Sequence, residues 1–278
     1  MTTIATRQRH WFRPRRLGHA LMLSVLHLWP AAAPQAEAPK PPDLVAKALL
    51  KAYPSTVVRV TDNTVLLANG RQLILDDGQG TKPAAARLAN PDIKDMFAAN
   101  YPLTFGATPD HDPGRARNAA FFEALYGDCR RGEVEQHLVD VLWLPAKSGG
   151  KLRVTRLNGV ADRLAEVSRA LDALPDRLTQ FLLPAAGAYH CRPIAGTTRM
   201  SAHGYGIAVD IATKHAHYWR WPVPKNEQAI TYRNAIPEEI VAIFEQHGFI
   251  WGGKWRHHDT MHFEYRPELI TAAKANRP

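Results

Sequence analysis

The sequence predicts an α+β fold: a small antiparallel sheet flanked by helices, preceded by a helix and a β-meander. Three observations carry this. Short β-branched runs are separated by turn signals, amphipathic stretches stand apart from them, and strand-like alternation recurs in the C-terminal half. In chain order, DLVAKALLKAY (43–53) reads as a short helix. TVVRVTDNTVLLANGRQLILDDG (56–78) reads as a meander turning at Asp62-Asn63 and Asn69-Gly70. Asn90-Pro91 and Asp112-Pro113 each place a capping side chain before a proline, predicting two helix starts; the second helix, PGRARNAAFFEALYG, stops at Gly127. VEQHLVDVLWLP (134–145) fits a strand or a helix. In NGVADRLAEVSRALDALP (158–175), Val160, Leu164, Val167, Leu171 and Leu174 form one apolar stripe that Pro175 ends. GIAVDIA (206–212) alternates as a strand. IPEEIVAIFEQHG (236–248) is a helix with Pro237 near its start and Gly248 past its end, and FIWGG and MHFEY are strands flanking a turn.

Length and composition set the outer bounds. At 278 residues and 45% hydrophobic, the chain can bury a substantial core in one large domain or two small ones. Residues 1–38 read as an export signal: Arg7, Arg9, Arg13, Arg15 and Arg16 precede the apolar LGHALMLSVLHLWPAAA, and a small-residue, proline-rich stretch follows. Retention as a membrane anchor is the alternative, against which Gly18, His19, His27 and Pro30 make a poor span. A periplasmic or cell-envelope location follows from that reading. The formal charge of +9 suits an anionic polymer or membrane surface, while the absence of a basic-aromatic array argues against a nucleic-acid partner. In an oxidising compartment the two cysteines, Cys129 and Cys191, are expected to pair.

Two compact patches carry the chemistry. SAHGYGIAVD (201–210) places His203 and Asp210 around Gly204 and Gly206, so that a tight loop entering a strand can bring an imidazole and a carboxylate together. In TMHFEY the two-residue period sends His262 to the face opposite Met261 and Phe263. Two histidines and a carboxylate with a fourth position open to water are the ligand set of a catalytic zinc. Asp259, three residues before His262, is placed to move protons as a general base, provided partial burial keeps it basic. His257 and His258 remain candidates to substitute as ligands or to assist at the oxyanion, and Glu264 shares the His262 face as an acceptor for a ligand imidazole. Most of the thirteen histidines, including His215, His217 and His247, read as surface or core residues.

SAHGYGIAVD followed by DTMHFE resembles the Ser-x-His-x-x-Gly-x-Ala-x-Asp and Asp/Glu-x-x-His pattern of the D-alanyl-D-alanine carboxypeptidase and dipeptidase metallopeptidases. That family includes peptidoglycan endopeptidases and shares its zinc-site architecture with lysostaphin-type enzymes and hedgehog domains. The similarity covers residues 189–269, with DPGR, IAGT, GFIWGGKW and HFEYRPEL pointing to one branch. It implies Zn2+ held by His203, Asp210 and His262, with Asp259 as general base. It also implies an upstream arginine for substrate and oxyanion, here Arg192 with Arg199 as its rival. Ser201 and His257 are the substrate-binding candidates.

The expected activity is zinc-dependent hydrolysis of peptidoglycan stem peptides or other D-amino-acid-containing peptides by a monomer. A D-Ala-D-Ala-type carboxypeptidase is favoured. An L-Ala-D-Glu-type endopeptidase, a non-catalytic zinc-containing binding module and a cysteine peptidase using Cys191 are the alternatives. Residues 39–150 are expected to form an extension packed on a catalytic domain spanning 151–278.

Overall fold

The computed structural model describes residues 43–106, 109–147, 150–221 and 230–276, so the predicted export signal lies outside the described residues. Asp43 caps the first helix, its carboxylate accepting from the Ala46 amide at 2.8 Å, and α1 (Leu44–Ala52) buries Ala46, Ala48 and Leu49. The meander follows as expected: β1 (Val57–Val60), β2 (Thr64–Leu67) and β3 (Gln72–Ile74) pair antiparallel in that order.

The two Pro-associated helix starts fall elsewhere. Asn90 ends a short helix, α2 (Ala84–Ala89), instead of starting one, and the chain after Pro91 makes a 3-10 turn over Lys94–Phe97. The next helix, α3 (Ala119–Tyr126), begins after Asn118, whose side chain accepts from the Phe121 amide at 2.8 Å. Asp112 is not a cap because its carboxylate is taken up by Arg115 and His257. Gly114, at φ 84, then turns the backbone out of helical space.

The ambiguous segment resolves into a 3-10 turn over Glu135–His137 and a strand, β4 (Leu138–Trp143). It pairs antiparallel with β5 (Gly150–Thr155), so this hairpin runs across position 150, and elements from both sides of that position share one hydrophobic core. Helix α4 (Val160–Asp172) buries Val160, Leu164, Val167 and Leu171 completely, packing on β4 and on α5 (Glu238–Gln246). Each such side chain contributes roughly 1.5–3 kcal/mol on removal from water.

The site is carried by a third small sheet. Strands β6 (Ala208–Asp210), β7 (Phe249–Trp251) and β8 (His262–Tyr265) associate in the order β6-β8-β7, all antiparallel. In this register Asp210 lies opposite His262 and Ala208 opposite Glu264. Central β8 is buried along its length: Phe263 stacks on Phe244 of α5 with ring centroids 3.8 Å apart, and Tyr265 meets Phe249 at 5.1 Å. With that face filled by aromatic rings, alternation turns His262 and Glu264 to the other side. The last helix, α6 (Pro267–Ala275), starts with proline at its first turn and packs on α1, where Tyr53 donates to Glu268 at 2.6 Å. Cys129 and Cys191 form a disulfide, so neither is available as a nucleophile.

Candidate metal centre

Ser201 opens the first patch as a cap, its hydroxyl accepting from the His203 amide at 3.4 Å, and a 3-10 turn over Ala202–Tyr205 follows. Gly206, at φ 68, reverses the chain into β6, and its carbonyl accepts from Thr155 of β5 at 2.9 Å. This path buries His203 to 4% exposure and aims it at the end of β6.

Three ligand atoms converge there. His203 Nε2 lies 3.2 Å from His262 Nδ1 and 3.2 Å from an Asp210 carboxylate oxygen, whose partner oxygen is 2.8 Å from His262 Nδ1. Ligands 2.0–2.1 Å from a tetrahedral zinc stand about 3.3 Å apart, so these spacings suit one shared ion.

The outward nitrogens are also fixed. His203 Nδ1 donates to the Ala188 carbonyl at 2.5 Å, and His262 Nε2 donates to Glu264 at 3.0 Å, which leaves Nε2 of the first ring and Nδ1 of the second free to ligate. Glu264 thus occupies the orienting position expected from strand alternation.

The electrostatics favour a cation at this point. Burial would raise the Asp210 carboxyl, but His203 and His262 outweigh it and hold it below the usual carboxylate range. Burial likewise opposes charge on His262, yet the Asp210 and Glu264 carboxylates raise it to about 10. Positive charge is what the cluster draws. A second acidic group, Asp76, Asp77 and Asp92, already meets cations: Lys82 lies 2.6 Å from Asp77 and 3.3 Å from Asp92, and Lys94 lies 2.8 Å from Asp76.

Asp259 stands just before β8, its amide donating to Gly252 at 3.0 Å. Gly252 must be glycine there, since a Cβ would come within 2.6 Å of the Asp259 carbonyl oxygen. Asp259 Oδ1 is buried without a partner among the described residues, and burial pushes the carboxyl up to about 6. The nearby Asp210 charge adds to the rise, while His262, His203 and Arg115 oppose it. A carboxyl tuned this way can take and return a proton near neutrality.

His257 is not in the ligand cluster; Asp112 holds its Nδ1 at 2.6 Å, and its ring meets Trp219 at 4.6 Å. His258 is 3% exposed, outside the cluster, and faces Tyr232. Arg192 is exposed, with a 3.5 Å bond to the Pro193 carbonyl. Arg199 is partly buried and makes no side-chain ion pair among the described residues; burial and the charges of Arg117 and Arg115 lower it to about 10. Sequence reasoning missed Arg115 and Arg117 as individuals. The DPGR motif containing Arg115 was the available signal, and Arg117 follows two residues later.

Comparison with curated proteins and with solved structures finds no match. A family model described as D-alanyl-D-alanine carboxypeptidase matches residues 195–265, a span containing His203, Asp210, Asp259 and His262. Over that segment, which holds the candidate site, the chain is similar to the D-alanyl-D-alanine carboxypeptidase family of peptidases.

Proposed function

We propose that this protein is an exported zinc peptidase that hydrolyses peptidoglycan stem peptides, removing a terminal D-amino acid in the manner of a D-Ala-D-Ala carboxypeptidase. The observation that carries the reading is the convergence of His203 Nε2, Asp210 and His262 Nδ1, with Asp259 close enough for their charges to act on it and its buried Oδ1 unpartnered among the described residues. These three residues would hold a zinc ion, which would supply Lewis acidity toward the scissile carbonyl and lower the pKa of water. Asp259 takes the proton from the attacking water and returns it to the leaving amine. Ala188 and Glu264 keep both imidazoles in the ligating tautomer. The exposed Arg192 and the partly buried Arg199 are the guanidinium groups offered to a substrate carboxylate or developing oxyanion. Export is supported by the Arg-rich, apolar N-terminal sequence and by the disulfide, which suits an oxidising compartment.

The test is mass spectrometry of muropeptides incubated with purified protein, with and without a chelator followed by added zinc. Chelator-sensitive loss of terminal D-Ala is the expected result. Release of internal fragments would make it an endopeptidase, and a zinc-loaded protein that leaves every peptide intact would refute catalysis.

A further inference from the structure

We infer that Arg117, outside the segment that matches the peptidase family, is a positioning residue for the metal: it holds Glu264 in the orientation that makes His262 a ligand. This rests on the proposed metal reading of the site. His262 can offer Nδ1 to a cation only if its proton sits on Nε2, and the acceptor that keeps it there is Glu264 Oε1 at 3.0 Å. Glu264 is fully buried, so water cannot orient its carboxylate. Two cations compete to do so. Arg117 Nη1 donates to the same oxygen, Oε1, at 2.7 Å. Arg266 approaches the other oxygen, Oε2, at 3.8 Å, while its own bonds go to Glu268 at 2.5 Å and the Gly114 carbonyl at 2.7 Å.

The two pulls act on opposite sides of one carboxylate. Arg117 fixes Oε1 where the imidazole N–H needs it. Without Arg117, the remaining cation draws the carboxylate toward Arg266, Oε1 leaves His262, and nothing selects the ligating tautomer. Arg117 reaches this place from the turn between Gly114 and the Asn118 cap of α3, 147 residues from Glu264 in sequence. The N-terminal half therefore supplies part of the metal site's support. Beyond Arg266 the chain of buried groups continues through Glu268 to Tyr53 after α1, and that distal half braces the fold without touching the ligand.

The experiment measures zinc affinity of the full chain by competition with a chromophoric chelator. Arg117→Met should bind zinc about 10–100-fold more weakly, the scale for loss of a group orienting a metal ligand. Arg117→Lys, which keeps one charged donor, should recover most of the loss. Tyr53→Phe should lower thermal stability and leave zinc affinity unchanged. In a Glu264→Gln background, adding Arg117→Met should cost no further affinity, because the two residues act in series. That pair leaves no buried carboxylate unpaired, so it carries the test if Arg117→Met alone does not fold. A folded Arg117→Met protein with wild-type affinity, or an equal loss in the Glu264→Gln background, overturns the inference. A wild-type protein that binds no zinc overturns the proposed function, on which the inference depends.

Discussion

Asp259→Asn should make the metal-free protein more stable at neutral pH while abolishing most of its activity. The Asp259 carboxyl is raised from 3.8 to about 6, first by burial and then by the Asp210 charge. An acid whose pKa rises on folding binds its proton more tightly in the folded state, so ionisation opposes folding. The penalty is absent below the unfolded value near pH 4, grows as pH rises, and is complete above about pH 6. At 1.36 kcal/mol per unit, the gap between 3.8 and about 6 corresponds to roughly 3 kcal/mol at pH 7. Asparagine removes the charge and keeps the shape. Urea unfolding of chelator-treated wild type and variant should show the variant more stable by up to about 3 kcal/mol at pH 7, with the difference closing near pH 4. The same variant should retain zinc and lose about two to four orders of magnitude in turnover, the usual scale for a general base. A stability difference that is independent of pH would refute the burial argument. Undiminished peptide cleavage would remove Asp259 from the mechanism and bring His257 or His258 forward.

Three further outcomes follow from the geometry. His203→Ala and His262→Ala should each lose bound zinc in metal analysis, and full occupancy in both would sink the ligand assignment. Gly252→Ala should keep zinc yet lower turnover at least tenfold, because its Cβ would stand 2.6 Å from the Asp259 carbonyl oxygen and 3.0 Å from the Trp255 ring; unchanged kinetics would show that Asp259 tolerates displacement. Replacing both cysteines by serine should destabilise the protein by about 4 kcal/mol, the chain-entropy value for the observed separation of 62 residues. Two titratable thiols in denatured, unreduced protein would refute the bridge itself.

Much of the candidate site was legible because its information is local. Within 201–210, the glycines and two ligating side chains lie on one loop and strand, and the period of two places His262 and Glu264 on one face of β8. The stripe on α4 was readable for the same reason, each apolar residue standing three or four from the next. Two of the failures are long-range and two are local choices between competing caps. Asp112 has the local signature of a helix cap, but its carboxylate pairs with His257, 145 residues away. Asn118, with no proline beside it to advertise a start, caps α3 instead. Asn90 precedes a proline and nevertheless closes α2. Nothing beside Arg117 in the sequence marks it as the partner of Glu264, 147 residues away. No spacing rule along the chain reports a partner brought in by tertiary structure.

The pairing of Asp210 opposite His262 makes metal capture a gauge of strand alignment. Sliding β6 against β8 by one residue would turn the Asp210 carboxylate toward the aromatic face of the sheet and leave the imidazole without its neighbour. An ion bound at this point rewards one alignment and no other, adding its binding free energy to the native pairing alone. The two residues are 52 apart, and both α5 and β7 lie in the intervening chain. That long closure has to be complete before all three ligands meet, so ion uptake follows formation of this strand pairing. Zinc should consequently leave the refolding rate nearly unchanged and act as a ratchet on the way back, slowing unfolding in proportion to its occupancy.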